Sequence, residues 1–158
     1  VDEAQLKTVM GYIDAGVAEG ARCVAGGQRV LAETGGYYVQ PTVFADVANG
    51  MKIAREEIFG PVMSIIRFET EAQAVQLANA SNYGLQASVW SDNVHRAHRV
   101  ARALRAGTVH VNQYDEDDIT VPFGGFKQSG NGRDKSLHAF DKYTELKTTW
   151  LRIEGNPD

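Results

Sequence analysis

The sequence predicts an α/β fold, a parallel sheet flanked by helices. Two observations carry that prediction. Short apolar runs rich in β-branched residues alternate with amphipathic helical stretches between Val62 and Val111, the pattern of strands joined by crossover helices. In addition, Val62-Met63-Ser64-Ile65-Ile66-Arg67-Phe68 is almost continuously apolar, which reads as a buried strand.

Taken in order, Asp2 is a good N-cap with Gln5 three residues on, and Leu6, Val9, Met10, Ile13 and Val17 mark one helical face that Gly20 can end. Ala21 to Ala25 reads as a short strand, Gly26-Gly27 as a turn, and Val30 to Gly36 as a loop. Tyr37 to Phe44 is aromatic and β-branched, hence extended. Pro41 argues against a central, fully paired strand there. Met51 to Glu56 suits a short helix. Beyond the Val62–Phe68 strand, Thr70 and Gln73 form a capping-box pattern ahead of a helix with Ala74, Leu77 and Ala78 on its apolar face. Gln86 to Trp90 is a strand. Ser91 or Asp92 can cap the next helix, whose stripe is Ala97, Val100, Ala101 and Leu104. Gly107 ends that helix and Thr108 to Val111 is a strand. Asn112 to Gly132 has little periodicity, and so long a loop is usually functional or disordered. Asp134 to Lys142 suits a last short helix, and Glu145 to Ile153 a terminal strand. No internal repeat or low-complexity tract interrupts the chain.

At 158 residues with 43% apolar content, the chain is long enough to bury one core. A net charge of −4 argues against a nucleic-acid groove. No apolar run approaches membrane-spanning length, and the start has no basic, apolar, small-residue signal. The one cysteine, Cys23, has no internal disulfide partner, which fits a reducing cytoplasm. The start at Val1 reads as a cut or processed end.

Chemistry concentrates in Glu56-Glu57-Ile58-Phe59-Gly60-Pro61-Val62. A carboxylate just before a strand can accept hydrogen bonds from a ligand's hydroxyls, and an aromatic two residues on can pack on a flat ring. The plainer reading is a helix end, a turn and a strand, with Phe59 in the core. Two further blocks bear on the choice: Ala106-Gly107-Thr108-Val109-His110-Val111-Asn112 and Pro122-Phe123-Gly124-Gly125-Phe126-Lys127-Gln128-Ser129-Gly130-Asn131-Gly132-Arg133. In order and spacing, all three blocks resemble the aldehyde dehydrogenase superfamily, and the resemblance runs from Val1 to about Trp150.

The resemblance implies an enzyme that oxidises an aldehyde to an acid and passes hydride to NAD, with NADP not excluded. It implies that this chain is a C-terminal portion, roughly the last third. Residues 1–144 would be the end of the catalytic domain and 145–158 an oligomerisation strand and tail, pairing with another copy. It implies that Glu57 hydrogen-bonds the nicotinamide ribose and that Phe59 packs near the nicotinamide ring. The family's nucleophile, general base, oxyanion asparagine and main cofactor segment match nothing here, so no residue of this chain is assigned as catalytic. Cys23 lies outside the nucleophile's context and reads as a packed core thiol. A non-catalytic oligomerisation or assembly module is the competing reading.

The run Asp115-Glu116-Asp117-Asp118 is the most individual feature. Consecutive acids repel one another and usually face water. By the resemblance, the segment lies at the substrate-channel mouth. Carboxylates there attract cations, and Asp115 and Asp117 with Phe123 as an apolar wall suit an aminoaldehyde. The tail from Ser129 to His138 looks most like the branch that oxidises γ-glutamyl-γ-aminobutyraldehyde and related aminoaldehydes. Gly130-Asn131-Gly132-Arg133 lacks the third glycine and the strand–helix setting of a phosphate loop; the resemblance makes it a structural loop. Asp134 is either a proton relay or a helix cap, with the cap favoured. His95 and His98, at i and i+3, have metal-ligand spacing but no further ligand, and read as exposed. No metal site is expected. His110 and His138 have no partner legible in the sequence.

Overall fold

Helix α1 (Glu3–Ala18) starts where expected: the Asp2 carboxylate accepts a hydrogen bond from the Gln5 amide at 2.8 Å. This computed structural model describes residues 2–114 and 118–155. The chain divides into two units, Val1–Ser81 and Asn82–Asp158. Among the described residues, no helix is long and apolar enough to cross a membrane.

The first unit continues with β1 (Arg22–Ala25), β2 (Arg29–Val30), β3 (Tyr38–Val39), β4 (Thr42–Ala45), α2 (Lys52–Arg55), β5 (Val62–Ser64) and α3 (Glu71–Asn79). Its three-stranded sheet has the order β1-β4-β5, with β1 antiparallel and β5 parallel to β4. β2 and β3 form a separate antiparallel pair. Pro41 falls between β3 and β4, so the central strand begins only after it, as a residue without an N–H requires. Val9, Ile13, Ala21, Phe44, Val47, Ile53 and Ile58 make the core, with Phe44 fully buried.

Three expectations change here. Gly16, not Val17, is the last core position of α1; Val17 is exposed. A Cβ on Gly16 would lie 2.9 Å from the Ile53 Cδ1 and 3.2 Å from the Phe44 ring, so the helix packs too closely there for a side chain. The strand predicted over Val62–Phe68 is only three residues long, Val62, Met63 and Ser64 pairing with Thr42, Val43 and Phe44 of β4; Met63, Ile65 and Phe68 are exposed. Cys23 is exposed rather than packed, since β1 is a sheet edge open to solvent along its length. Its thiol donates to the Ala25 carbonyl oxygen at 3.4 Å. α3 is capped as expected, with the Thr70 hydroxyl accepting from the Gln73 amide at 3.1 Å.

The second unit contains β6 (Tyr83–Gly84), β7 (Gln86–Val89), α4 (Val94–Ala103), β8 (Thr108–Val111), β9 (Phe126–Lys127) and a 3₁₀ segment, Leu137–Tyr143. β7 and β8 are parallel, with α4 as their crossover, which is the βαβ unit that the sequence alternation predicts. β6 and β9 are antiparallel. The predicted stripe of α4 holds: Ala97 is buried, and Val100, Ala101 and Leu104 are half-buried. Its cap is Asn93, whose side chain accepts from the Arg96 amide at 2.9 Å, rather than Ser91 or Asp92. The Ser91 hydroxyl accepts from the Asn93 amide at 3.2 Å, while the Ser91 backbone exchanges two hydrogen bonds with the Asn112 side chain, at 2.8 and 2.9 Å. The α/β class stands, with parallel pairs in both units and antiparallel pairs beside them.

Among the described residues, Glu145 to Ile153 pairs with no other strand of this chain, and Leu146, Trp150, Leu151 and Ile153 are exposed.

Candidate functional site

The Glu56-Glu57-Ile58-Phe59-Gly60-Pro61 segment leaves the end of α2 and enters β5. Its inward anchor is Ile58, a member of the core cluster. Glu57 and Phe59, on either side of this anchor, are both exposed. Phe59 is not in the core of this chain: the residue is 78% exposed. The Phe59 backbone lies at φ 54°, a left-handed conformation that a residue with a Cβ adopts at a cost of about 1 kcal/mol or more.

Two braces hold that conformation. Gln5, on α1, donates through Nε2 to the carbonyl oxygens of Phe59 at 3.0 Å and Ile58 at 3.3 Å. Gly60 follows, where a Cβ would come within 2.6 Å of Val9; the turn lies against α1 at a distance only glycine allows. The first acid is also tied down, since the Tyr12 hydroxyl donates to Glu56 Oε2 at 2.8 Å. Glu57 differs: its carboxylate makes no hydrogen bond or ion pair with any described residue. The result is a free carboxylate and an exposed aromatic face two residues apart on a braced turn, which suits a ribose diol and a flat ring respectively.

In the second unit, Phe123 is half-buried. It forms a two-bond antiparallel bridge with Asp134: the Phe123 amide donates to the Asp134 carbonyl oxygen at 2.8 Å, and the Asp134 amide donates back at 2.7 Å. The Lys135 ammonium stands 5.3 Å from the Phe123 ring centre. A half-open cleft of about 280 Å³ lies beside this bridge, lined by Phe123, Ser129, Asn131, Arg133, Asp134 and Lys142 among others. The Asp134 carboxylate accepts from the Lys142 ammonium, and that bond raises the Lys142 pKa above a lysine's ordinary value. Asp134 is therefore an ion-pair acceptor and not a helix cap. Ser136 is the cap of the 3₁₀ segment, accepting from the His138 amide at 3.2 Å.

Gly130-Asn131-Gly132-Arg133 is followed by the Phe123–Asp134 bridge and a 3₁₀ turn, so no α-helix N-terminus is presented to a phosphate. Arg133 folds back to donate to the Gly125 carbonyl oxygen at 3.0 Å, which makes the loop self-supporting. Asp115 and Asp117 lie outside the described residues. Their neighbour Asp118 accepts from the Thr120 amide and hydroxyl, both at 2.7 Å. The amide bond, then the hydroxyl bond, lowers its pKa below an aspartate's ordinary value.

Glu57 and Phe59 thus belong to the first unit, and Phe123 to the second. His95 and His98 are exposed. His110 is buried, with its Nε2 2.9 Å from the Gln86 side-chain nitrogen across the neighbouring strand. His138 lies 3.2 Å from Asp141. No group of three or more His, Cys, Asp or Glu that could hold a metal occurs among the described residues. Gln5 and Lys142 are the residues that sequence reasoning missed. Gln5 was legible only as part of a helix start, and nothing in the spacing links Lys142 to Asp134.

Residues 1–149 match the aldehyde dehydrogenase family, and the chain belongs to it. The NADP/NAD-dependent aldehyde dehydrogenase PuuC of Escherichia coli (strain K12) is 51% identical over 155 residues, a match covering 98% of this chain and 30% of the relative. A betaine aldehyde dehydrogenase of Sinorhizobium fredii is 52% identical over 152 residues, covering 96% of this chain and 31% of the relative. A P. syringae indole-3-acetaldehyde dehydrogenase variant, solved in complex with NAD+ and IAA, superposes with a TM-score of 0.92 at 63% identity, over 96% of this chain and 31% of its own. The chain therefore spans about 30% of the length of the curated relatives it matches. The expected cofactor agrees with these neighbours: one is an NAD+ complex and another is named for both NADP and NAD.

Proposed function

We propose that this chain is the C-terminal part of the catalytic domain of an NAD(P)-dependent aldehyde dehydrogenase, and that the whole enzyme oxidises an aminoaldehyde to the acid. The nucleophilic cysteine and general base are supplied by parts of the enzyme outside this chain. NAD(P) accepts the hydride when bound. This chain's share is to hold and orient it: Glu57 accepts hydrogen bonds from the nicotinamide ribose, and Phe59 limits the positions of the nicotinamide ring. Phe123 forms an apolar wall of the substrate channel, with Asp115 and Asp117 at its mouth. The observation that carries the reading is the Glu57–Phe59 turn, where a carboxylate with no partner among the described residues lies two positions from an exposed ring whose backbone Gln5 holds in a strained conformation. A ligand that uses both groups accounts for that arrangement.

The aminoaldehyde is argued from charge. A run of four acids at a channel mouth raises the local concentration of a cationic substrate. The P. syringae neighbour named for indole-3-acetaldehyde argues against reading a substrate from likeness alone, so the acids carry this step. The test is Asp115→Asn with Asp117→Asn in the whole enzyme. The preference for an aminoaldehyde over a plain aldehyde of equal length, measured as kcat/KM at low salt, is expected to fall several-fold. An unchanged preference would end the charge reading.

The whole enzyme is proposed to be a cytoplasmic homo-oligomer. The segment from Glu145 would pair as a strand with a second copy's sheet, which would cover Leu146, Trp150, Leu151 and Ile153. Those exposed apolar side chains are also what favours the second reading, a non-catalytic assembly module. Aldehyde-dependent NADH formation by the whole enzyme separates the two.

A further inference from the structure

The stretch after Asp134 is under strain that its own sequence does not relieve. Lys135 and Ser136 both take positive φ, 59° and 51°, although neither is glycine. Side chains with a Cβ remain there only where the surroundings over-determine the backbone. The chain is pinned on both sides of this pair. Ahead of it, Asp134 is bridged to Phe123 by two backbone hydrogen bonds; within it, the Ser136 amide donates to the Ile119 carbonyl oxygen at 2.8 Å. Lys142, at the far end of the 3₁₀ segment, reaches back over the turn and donates to the Asp134 carboxylate. Both side chains also line the cleft that Phe123 lines.

We propose that Lys142 is a positioning residue: by binding Asp134 across the Lys135–Ser136 turn, it holds the Phe123–Asp134 bridge closed and so fixes the Phe123 wall beside the cleft. The effect of this latch on the reaction rests on the reading of Phe123 as a wall of the substrate channel. Lys142 touches no reacting atom in this account. Its influence passes through Asp134 and two backbone hydrogen bonds.

The test uses the whole enzyme with Lys142→Met and Lys142→Arg. Hydrogen–deuterium exchange is followed at the Phe123 and Asp134 amides, whose protection the bridge supplies. In Lys142→Met, exchange at these two amides is expected to be roughly two- to fivefold faster, the range of an exposed ion pair, while the β6–β9 pair is unaffected. Lys142→Arg keeps a cation in reach and should restore protection. The KM for aldehyde is expected to rise with kcat unchanged, and the KM for NAD to stay put. If Lys142→Met is insoluble, Asp134→Asn removes the charge from the other side and should speed exchange at the Phe123 and Asp134 amides in the same way. Unchanged exchange at Phe123 and Asp134 in either variant would overturn the latch. Faster exchange with an unchanged aldehyde KM would uphold the latch and overturn the channel-wall reading of Phe123.

Discussion

Gln5 and Phe59 are joined by one hydrogen bond across 54 positions of chain: Gln5 Nε2 donates to the Phe59 carbonyl oxygen at 3.0 Å. The same side chain reaches the Ile58 carbonyl oxygen, so one amide group on α1 holds the two residues that set the direction of the Phe59 ring. Helix α1 is in turn fixed by Val9 and Ile13 in the core. A local feature of the helix thereby controls a distant exposed turn.

Removing that donor should loosen the turn more than it destabilises the protein. For Gln5→Ala, the loss of hydrogen bonding in a partly exposed place is about 1 kcal/mol, read as a lower urea midpoint of the whole enzyme. NAD affinity should fall with it, because Phe59 at φ 54° is no longer held. A variant that loses stability but binds NAD normally would show that the brace serves packing only.

Gly16→Ala tests the close packing of α1. The added methyl meets Ile53 Cδ1 at 2.9 Å and the Phe44 ring at 3.2 Å, so the Ile53 side chain must shift within the core. Overpacking of this kind costs about 1–3 kcal/mol, against the small gain in helix propensity that alanine brings at an unconstrained site. A higher urea midpoint in Gly16→Ala would contradict the packing account.

Two surface pairs should respond at opposite ends of the pH scale. Asp118 has a lowered pKa, chiefly from the Thr120 amide. Its contribution is therefore complete above the ordinary aspartate value and lost as pH falls through the lower folded-state value. Lys142 has a raised pKa, chiefly from Asp134. Its contribution is complete below the ordinary lysine value and lost as pH rises through the higher one. Protection of the Thr120 amide should thus weaken in strong acid, and the Lys142 contribution to protection at Phe123 should be lost in strong alkali. Asp118→Asn should remove the first dependence and leave the second.

Much of the fold was legible because its signals are local. The Asp2–Gln5 and Thr70–Gln73 caps, the Ala97–Leu104 stripe and the Thr108–Val111 strand depend on residues within a turn or two of each other. The misreadings came from contacts that sequence spacing does not contain. Val17 continues the hydrophobic period of α1, yet Ile53 and Phe44 approach so closely that Gly16 takes the core position. Cys23 sits in an apolar segment, but an edge strand with one neighbour stays open to water. Asn93 rather than Ser91 caps α4, and the Ser91 hydroxyl accepts from the Asn93 amide instead. The site was legible in part. Glu57 and Phe59 stand out in the sequence, but their outward direction depends on Ile58 entering the core and Gln5 arriving from α1. Lys142 was invisible because its partner lies across a strained turn that only the fold reveals.

The central claim is that the Glu57–Phe59 turn receives the nicotinamide end of the cofactor, and NAD+ binding to Glu57→Gln in the whole enzyme, measured by titration calorimetry, tests it most directly. This change keeps the shape and replaces the carboxylate by an amide, so the charge-assisted hydrogen bonds to the ribose are lost. The predicted result is a Kd weaker by roughly tenfold or more, the equivalent of about 1.4 kcal/mol, with the urea midpoint unchanged because Glu57 has no partner among the described residues. An unchanged Kd would contradict the account.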